Sequence, residues 1–258
     1  MGYKLKDKVA IITGAGTGIG KSIAIAYARE GANIVGAARR IEKLEETAKE
    51  IDNLGRTTLV IKCDVSKKED CDNVALKTMD ELGRIDILIN NAAIYPMKPF
   101  LEITSAEWDE VLAVNLKGCM LMSQAMVPHM IKQKSGKIIM VNTGMIRESP
   151  HTYEMVHYTV SKMGILGLTR CLAAEFGPMG IQVNGFAPAY TPDTEGTAEY
   201  ASLIMTPEHE KEALNRVPAR RWGRVDDYNG IAVFLASSES DYINGQTISV
   251  DGGETMAA

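Results

Sequence analysis

The fold is decided by Lys8-Val-Ala-Ile-Ile-Thr13 and the glycine run that follows it, Gly14-Ala-Gly16-Thr17-Gly18-Ile19-Gly20. The first six residues are an apolar run too short for a helix. The glycines let the chain turn sharply, and from Ile19 to Arg29 apolar residues recur at helical spacing. Strand, tight turn and helix in this order bring free N–H groups at a helix N-terminus, with their partial positive charge, to a place where the backbone can approach a pyrophosphate. The spacing is T-G-x-x-x-G-x-G, not G-x-G-x-x-G, because position 19 is isoleucine.

Outward from this unit the same alternation repeats. Asn33–Ala37 reads as a strand and is followed by a polar helix with apolar positions Ile41, Leu44, Ala48 and Ile51. Thr58–Ile61 and Ile85–Ile89 read as strands around a helix near Lys68–Leu82, and a long helix runs from Ser105 to Lys134. Lys137–Val141 is a strand, Val156–Phe176 a helix, Ile181–Phe186 a strand, Val225–Ala236 a helix and Gln246–Val250 a last strand. Continuous apolar strands separated by helices predict α/β architecture: a Rossmann-like, doubly wound parallel sheet of about seven strands with helices on both faces. Such sheets bind ligands at the carboxyl ends of their strands. No repeat or linker divides residues 1–258, which are expected to form a single dinucleotide-binding domain. The stretch 188–221, broken by Pro188, Pro192, Pro207 and Pro218 around a short helix at Pro207–Asn215, is expected to be a substrate lid.

Composition narrows the function. A net charge of −5 with dispersed basic residues argues against nucleic acid or an acidic membrane surface as partner. Cys63, Cys71, Cys119 and Cys171 lack metal-ligand spacing and sit inside predicted strands or helices, so no metal is expected and the thiols read as small buried hydrophobes. With no apolar signal core at the N-terminus and no apolar run of transmembrane length, the expected location is the cytoplasm.

Tyr158-Thr-Val-Ser-Lys162 puts a phenol and an ammonium four residues apart at the start of a predicted helix, on one face. A nearby ammonium favours phenolate, so the tyrosine is expected to titrate below its ordinary pKa of about 10 and to exchange protons with an alcohol or carbonyl.

The glycine pattern, Asn90-Asn91-Ala92-Ala93, Asn115, and Tyr158 with Lys162 together resemble the short-chain dehydrogenase/reductase family. The resemblance extends to Cys63-Asp64-Val65, to Asn184-Gly-Phe-Ala-Pro188, and to Tyr242-Ile-Asn-Gly245-Gln246 followed by Val250-Asp251-Gly252-Gly253. It implies hydride transfer between a nicotinamide cofactor and a secondary alcohol or ketone, and a homotetramer. Carried over residue by residue, it makes Tyr158 the general acid or base and has Lys162 lower its pKa and hold the nicotinamide ribose. Asn115 holds a relay water, and Thr143 stands in the place of the family's serine. Thr143 lies fifteen residues before Tyr158, where the family's serine lies thirteen before, so the intervening loop is longer; Ser149 is too far along it to substitute. The cofactor contacts implied are Gly14, Gly16, Thr17, Gly18, Ile19, Gly20, Arg39, Asp64, Val65, Asn91, Ala92, Tyr158, Lys162, Pro188 and Thr191. Thr194 competes with Thr191 for the contact to the nicotinamide amide. Ala93 and Ala189 replace family glycines.

After the second strand, Ala38 stands where an NAD-type carboxylate would be and Arg39 is placed to pair with a phosphate, so NADP is expected, with NAD as the alternative. The expected partner is a small-molecule alcohol or carbonyl substrate. Tyr95, Met145, Arg147, Tyr153 and Tyr190 are its candidate contacts, with Ile94, Met97, His151, His157, Tyr200 and Met205 nearby. Arg147 is either the counter-charge to an anionic substrate group or a solvated loop arginine. Tyr95-Pro-Met-Lys-Pro-Phe100 and Val217-Pro-Ala-Arg-Arg-Trp-Gly223 are similar to members acting on polyols and sugar acids. A cyclic alcohol, a 3-oxoacyl thioester and, from another class, a catalytically silent NADP-binding regulator are the alternatives.

Overall fold

A computed structural model describes residues 3–146, 154–197 and 206–256. All five residues of β1 (Val9–Thr13) are buried, as expected of a strand covered on both faces. Successive side chains point to opposite sides of a strand. Val9 and Ile11 accordingly join one core cluster with Leu88, Ile138 and Met140, while Ala10 and Ile12 join a second with Ile87, Ile89 and Ile139.

β1 pairs in parallel with β2 (Asn33–Ala38) on one side and β4 (Ile87–Asn90) on the other. The full order is β3-β2-β1-β4-β5-β6-β7, with β3 at Thr58–Lys62, β5 at Gly136–Val141, β6 at Ile181–Pro188 and β7 at Thr247–Val250, every pair parallel. The order reverses between β1 and β4. That switch point leaves a crevice at the carboxyl ends of the strands. Helices α1 (Gly18–Arg29), α2 (Ile41–Asp52), α3 (Lys68–Leu82), α4 (Ser105–Leu112), α5 (Gly118–Gln133), α6 (Val156–Phe176), α7 (Pro207–Arg216) and α8 (Asn229–Ala236) cover the sheet or its carboxyl edge. The seven-stranded parallel sheet is the expected fold.

The departures are local. The strand expected from Ile85 begins at Ile87, because the Gln133 side chain takes both backbone groups of Ile85: Ile85 N–H donates to Gln133 Oε1 (3.0 Å) and Gln133 Nε2 donates to Ile85 O (2.7 Å). The helix expected over Val225–Ala236 starts with a 3₁₀ turn, Val225–Tyr228. The long helix expected from Ser105 to Lys134 is α4 and α5 joined by a π-turn, Ala113–Lys117, and it ends at Lys134 in the left-handed region (φ 54°). By length and composition Ser105–Gln133 could cross a bilayer (mean hydropathy 1.2 over 18 residues), so the expectation of no such run needs correction. Its buried residues, among them Cys119, Leu121, Met122 and Met126, pack into the core beneath β4 and β5, as a core helix does.

Candidate active site

The glycine turn is locked from below by Thr13. Its hydroxyl donates to Ile89 O (3.1 Å) and accepts from the N–H groups of Asn91 (2.9 Å) and Ala92 (3.0 Å). Asn91 Nδ2 in turn donates to the carbonyls of Thr13 (2.9 Å) and Gly14 (3.4 Å). Gly14 and Gly18 have φ of 69° and 55°, which favours glycine. A Cβ on Gly20 would lie 2.3 Å from Gly14 O and 2.5 Å from Asn91 Nδ2. Helix α1 begins with its cap residue Thr17 and α2 with Arg40, and neither cap side chain bonds the helix. In α4, by contrast, Thr104 and Glu107 form a reciprocal capping box. Two helices thus present first-turn N–H groups without side-chain caps, beside the crevice. That is a donor set for a pyrophosphate at α1 and a further phosphate at α2, and it fits a dinucleotide.

The crevice is a cleft of about 760 Å³. Its wall carries Gly14, Thr17, Gly18, Ile19, Arg39, Asp64, Val65, Asn91, Ala92, Thr143, Tyr158, Lys162, Pro188 and Thr191 among the expected catalytic and cofactor residues. Tyr95, Met145 and Tyr190 line it too, while Arg147, Tyr153, Ser149, His151, Tyr200 and Met205 lie outside the described residues. Gly16, Gly20 and Asn115 stand behind the wall. Burial opposes ionisation of Asp64, but hydrogen bonds from Ser66 N–H (3.1 Å) and Oγ (2.7 Å), with Lys67 and Arg39 nearby, outweigh it and hold the carboxyl below its usual range.

Sequence reasoning missed Asn142, Glu195, Arg216, Trp222, Glu254 and Thr255, all on the wall. The last two reach it because Ala219 N–H donates to Gly252 O (3.0 Å), folding the turn after β7 under the segment that precedes Trp222. The Trp222 indole meets the Tyr190 ring edge-on, with centroids 5.0 Å apart, and donates from Nε1 to Glu210 (3.0 Å). Only the fold brings these segments together.

Tyr158 and Lys162 stand together as expected, with Lys162 Nζ 5.7 Å from the Tyr158 ring centroid. The expected fall in the phenol's pKa is not found. Burial pushes it up to about 12; a hydrogen bond from the Thr143 hydroxyl opposes this and the neighbouring Tyr95 adds to it. Lys162 donates to Val141 O (2.8 Å), and burial brings its own pKa down to about 8, so it is itself a destabilised cation. Desolvation of both groups, which spacing does not reveal, outweighs their mutual effect. The Thr143 hydroxyl does reach Tyr158 across the longer loop.

Asn115 is buried behind the wall. Its Oδ1 accepts from Ile94 N–H (2.8 Å), and its Nδ2 donates to Ile94 O (2.8 Å) and Ser161 Oγ (3.1 Å). The amide therefore braces the Ile94 loop against α6, with both Nδ2 hydrogens used and one lone pair of Oδ1 left over. The Thr191 hydroxyl is likewise taken, by Tyr228 Oη (2.6 Å) and Ala189 O (3.0 Å), and Thr194 pairs with Thr197 (2.7 Å). His157, expected near the site mouth, is fully buried and absent from the wall. It shares the inner face of α6 with Ser161, one turn on, where α6 packs against α4 and the π-turn.

A family model described as Enoyl-(Acyl carrier protein) reductase matches residues 14–255. The 2-dehydro-3-deoxy-D-gluconate 5-dehydrogenase of Escherichia coli (strain K12) is 38% identical over 251 residues, spanning 97% of this chain and 96% of that protein. The 3-oxoacyl acyl-carrier-protein reductase of Thermotoga maritima is 35% identical over 254 residues, spanning 97% and 98%. The crystal structure of a gluconate 5-dehydrogenase from Burkholderia cenocepacia J2315, in complex with NADP and tartrate, superposes with a TM-score of 0.90 at 34% identity, covering 99% of this chain and 98% of that one. The chain therefore belongs to the short-chain dehydrogenase/reductase family and is an NAD(P)-dependent oxidoreductase.

Proposed function

We propose that the chain is an NADP-preferring dehydrogenase that interconverts the secondary hydroxyl and keto group of a sugar acid or related polyol. The observation that carries the chemistry is the meeting of the Thr143 and Tyr158 hydroxyls above Lys162 on one wall of the cleft. The choice of sugar acid rests on the likeness to the two sugar-acid dehydrogenases. NADP is favoured because Ala38 offers no carboxylate, Arg39 lies on the wall and the N-terminus of α2 has no side-chain cap.

The glycine turn and Lys162 would hold NADP, which would supply the hydride chemistry. Tyr158 holds the proton of the substrate oxygen, and a phenol raised to about 12 is a proton donor at neutral pH, suited to the ketone direction. Thr143 donates a hydrogen bond to the same oxygen. Lys162 supplies the positive charge that eases proton loss in the alcohol direction. Asn115 is a positioning residue: its amide fixes the Ile94 loop. On the lid side, Arg216 is the cation placed to meet a substrate carboxylate, its partner Glu212 being 3.0 Å away and exposed.

In this reading residues 1–258 form one domain with a lid at 188–221, working in the cytoplasm as a homotetramer. Met120, Val160 and Met163 are exposed apolar groups of α5 and α6 available to such contacts. Nicotinamide absorbance, followed with hexonates, 2-keto-3-deoxy sugar acids, neutral polyols and 3-oxoacyl thioesters, tests the reading. Turnover of the acids ahead of the rest supports it. Preference for the thioester would replace it with the 3-oxoacyl reductase reading, and cofactor binding without any turnover would leave a silent regulator.

A further inference from the structure

Thr194, Glu195 and Gly196 touch three different walls of the cleft. The Thr194 methyl lies 3.3 Å from the position of a Cβ on Gly18, and a Cβ on Gly196 would fall 2.6 Å from the ring of Tyr95, which itself packs on Tyr158 with centroids 5.7 Å apart. Between them Glu195 Oε2 lies 2.6 Å from a guanidinium nitrogen of Arg40, 155 residues away in sequence. The segment is pinned on both sides of Glu195: Thr194 N–H donates to Thr191 O (3.4 Å) and Thr197 Oγ donates to Thr194 O (3.0 Å). Glu195 therefore brings a carboxylate to the end of the cleft where Ala38 has none, and sets it on the arginine next to Arg39 at the start of α2.

We propose that Glu195 is a determinant of dinucleotide choice, acting from the lid: its carboxylate holds Arg40 away from an adenosine 2′-phosphate and repels that phosphate. The inference rests on the reading of the cleft as a dinucleotide site with its adenosine end at Arg39 and Arg40. A 2′-phosphate carries about −1.5 to −2 at neutral pH and can take Arg40 from a single carboxylate. Both side chains of the ion pair are about half exposed (54% each). Exposed pairs of this kind are worth up to roughly fivefold in an equilibrium constant, and relief of the repulsion adds a similar factor. NAD, lacking the phosphate, leaves the pair intact. The carboxylate thus tempers a preference that Arg39 and the α2 N-terminus would otherwise make stronger.

The test is calorimetric binding of adenosine 2′,5′-bisphosphate and adenosine 5′-monophosphate to the wild type, Glu195→Gln, Arg40→Gln and the double variant, with the NADP-to-NAD ratio of kcat/KM alongside. Glu195→Gln should tighten the bisphosphate about three- to tenfold relative to the monophosphate and raise the kinetic ratio by the same factor. Adding Arg40→Gln should remove that gain. Equal shifts for both nucleotides, or none, would overturn the proposal and leave Glu195 as a prop for the lid. Should Glu195→Gln lower the melting temperature, Glu195→Ala, which also removes the charge, is read beside it: an unchanged nucleotide ratio in both refutes the idea. A wild type that binds NAD more tightly than NADP would count against the cofactor preference alone, since the differential effect of Glu195 is still measured.

Discussion

Replacing His157 by leucine should make the protein more stable and less sensitive to acid. The imidazole is fully buried, and neither ring nitrogen has a hydrogen-bond partner among the described residues. An unpartnered buried polar atom costs about 1–3 kcal/mol, and a leucine of similar volume removes two of them while losing some ring contact. The net gain at pH 8 should be about 1–2 kcal/mol, or roughly 3–6 °C in melting temperature for a chain of this size. Burial lowers the histidine's pKa, opposed by the nearby Glu107 carboxylate. A folded-state pKa below the unfolded value of about 6.5 means that the unfolded chain binds the proton first. Wild-type stability is then lost as pH falls below about 6.5, by up to 1.4 kcal/mol per unit until the folded-state pKa is reached. Urea unfolding of both proteins between pH 8 and pH 5 should show the gap widening toward acid. No gain at pH 8 together with parallel pH curves would refute the reasoning, because it would mean that the imidazole already has partners.

Gly20→Ala forces a Cβ to 2.3 Å from Gly14 O, so the turn must shift: we expect a loss of about 1–3 kcal/mol in denaturant melts and at least a tenfold weaker NADP by calorimetry. Thr143→Ala should lower kcat about 10²- to 10³-fold with the NADP dissociation constant little changed, and Thr143→Ser should restore most of it; a nearly unchanged kcat in the alanine variant would remove Thr143 from the site. Lys162→Met should all but abolish turnover yet stabilise the cofactor-free protein. With the folded-state pKa near 8 and the unfolded near 10.5, wild-type stability rises between those pH values. Below pH 8 the buried ammonium costs on the order of 3 kcal/mol, less the lost bond to Val141. Thermal melts at pH 7.5 and pH 10 should therefore show the variant's advantage shrinking as pH rises.

What could be read from the chain was whatever local periodicity controls. The apolar run Val9–Ile12, the helical spacing after Ile19 and the glycines between them follow from backbone geometry alone, and they carried the sheet and its order of elements. What could not be read depends on partners distant in sequence. The π-turn at Asn115 is tied to that amide's bonds with Ile94 and Ser161, 21 and 46 residues away. The sign of the Tyr158 shift was misread because a spacing of four reports the ammonium but not the water lost by both groups, and desolvation is the larger effect. The same reason explains the wall residues that were missed. Glu195 meets Arg40, and Glu254 and Thr255 meet the cleft, only after β6 and β7 complete the sheet. The central strands are thus built from local pattern, whereas the segments that close over them reach the cleft through contacts between residues far apart in the chain. That second group is the part of the sequence in which local pattern carries the least information.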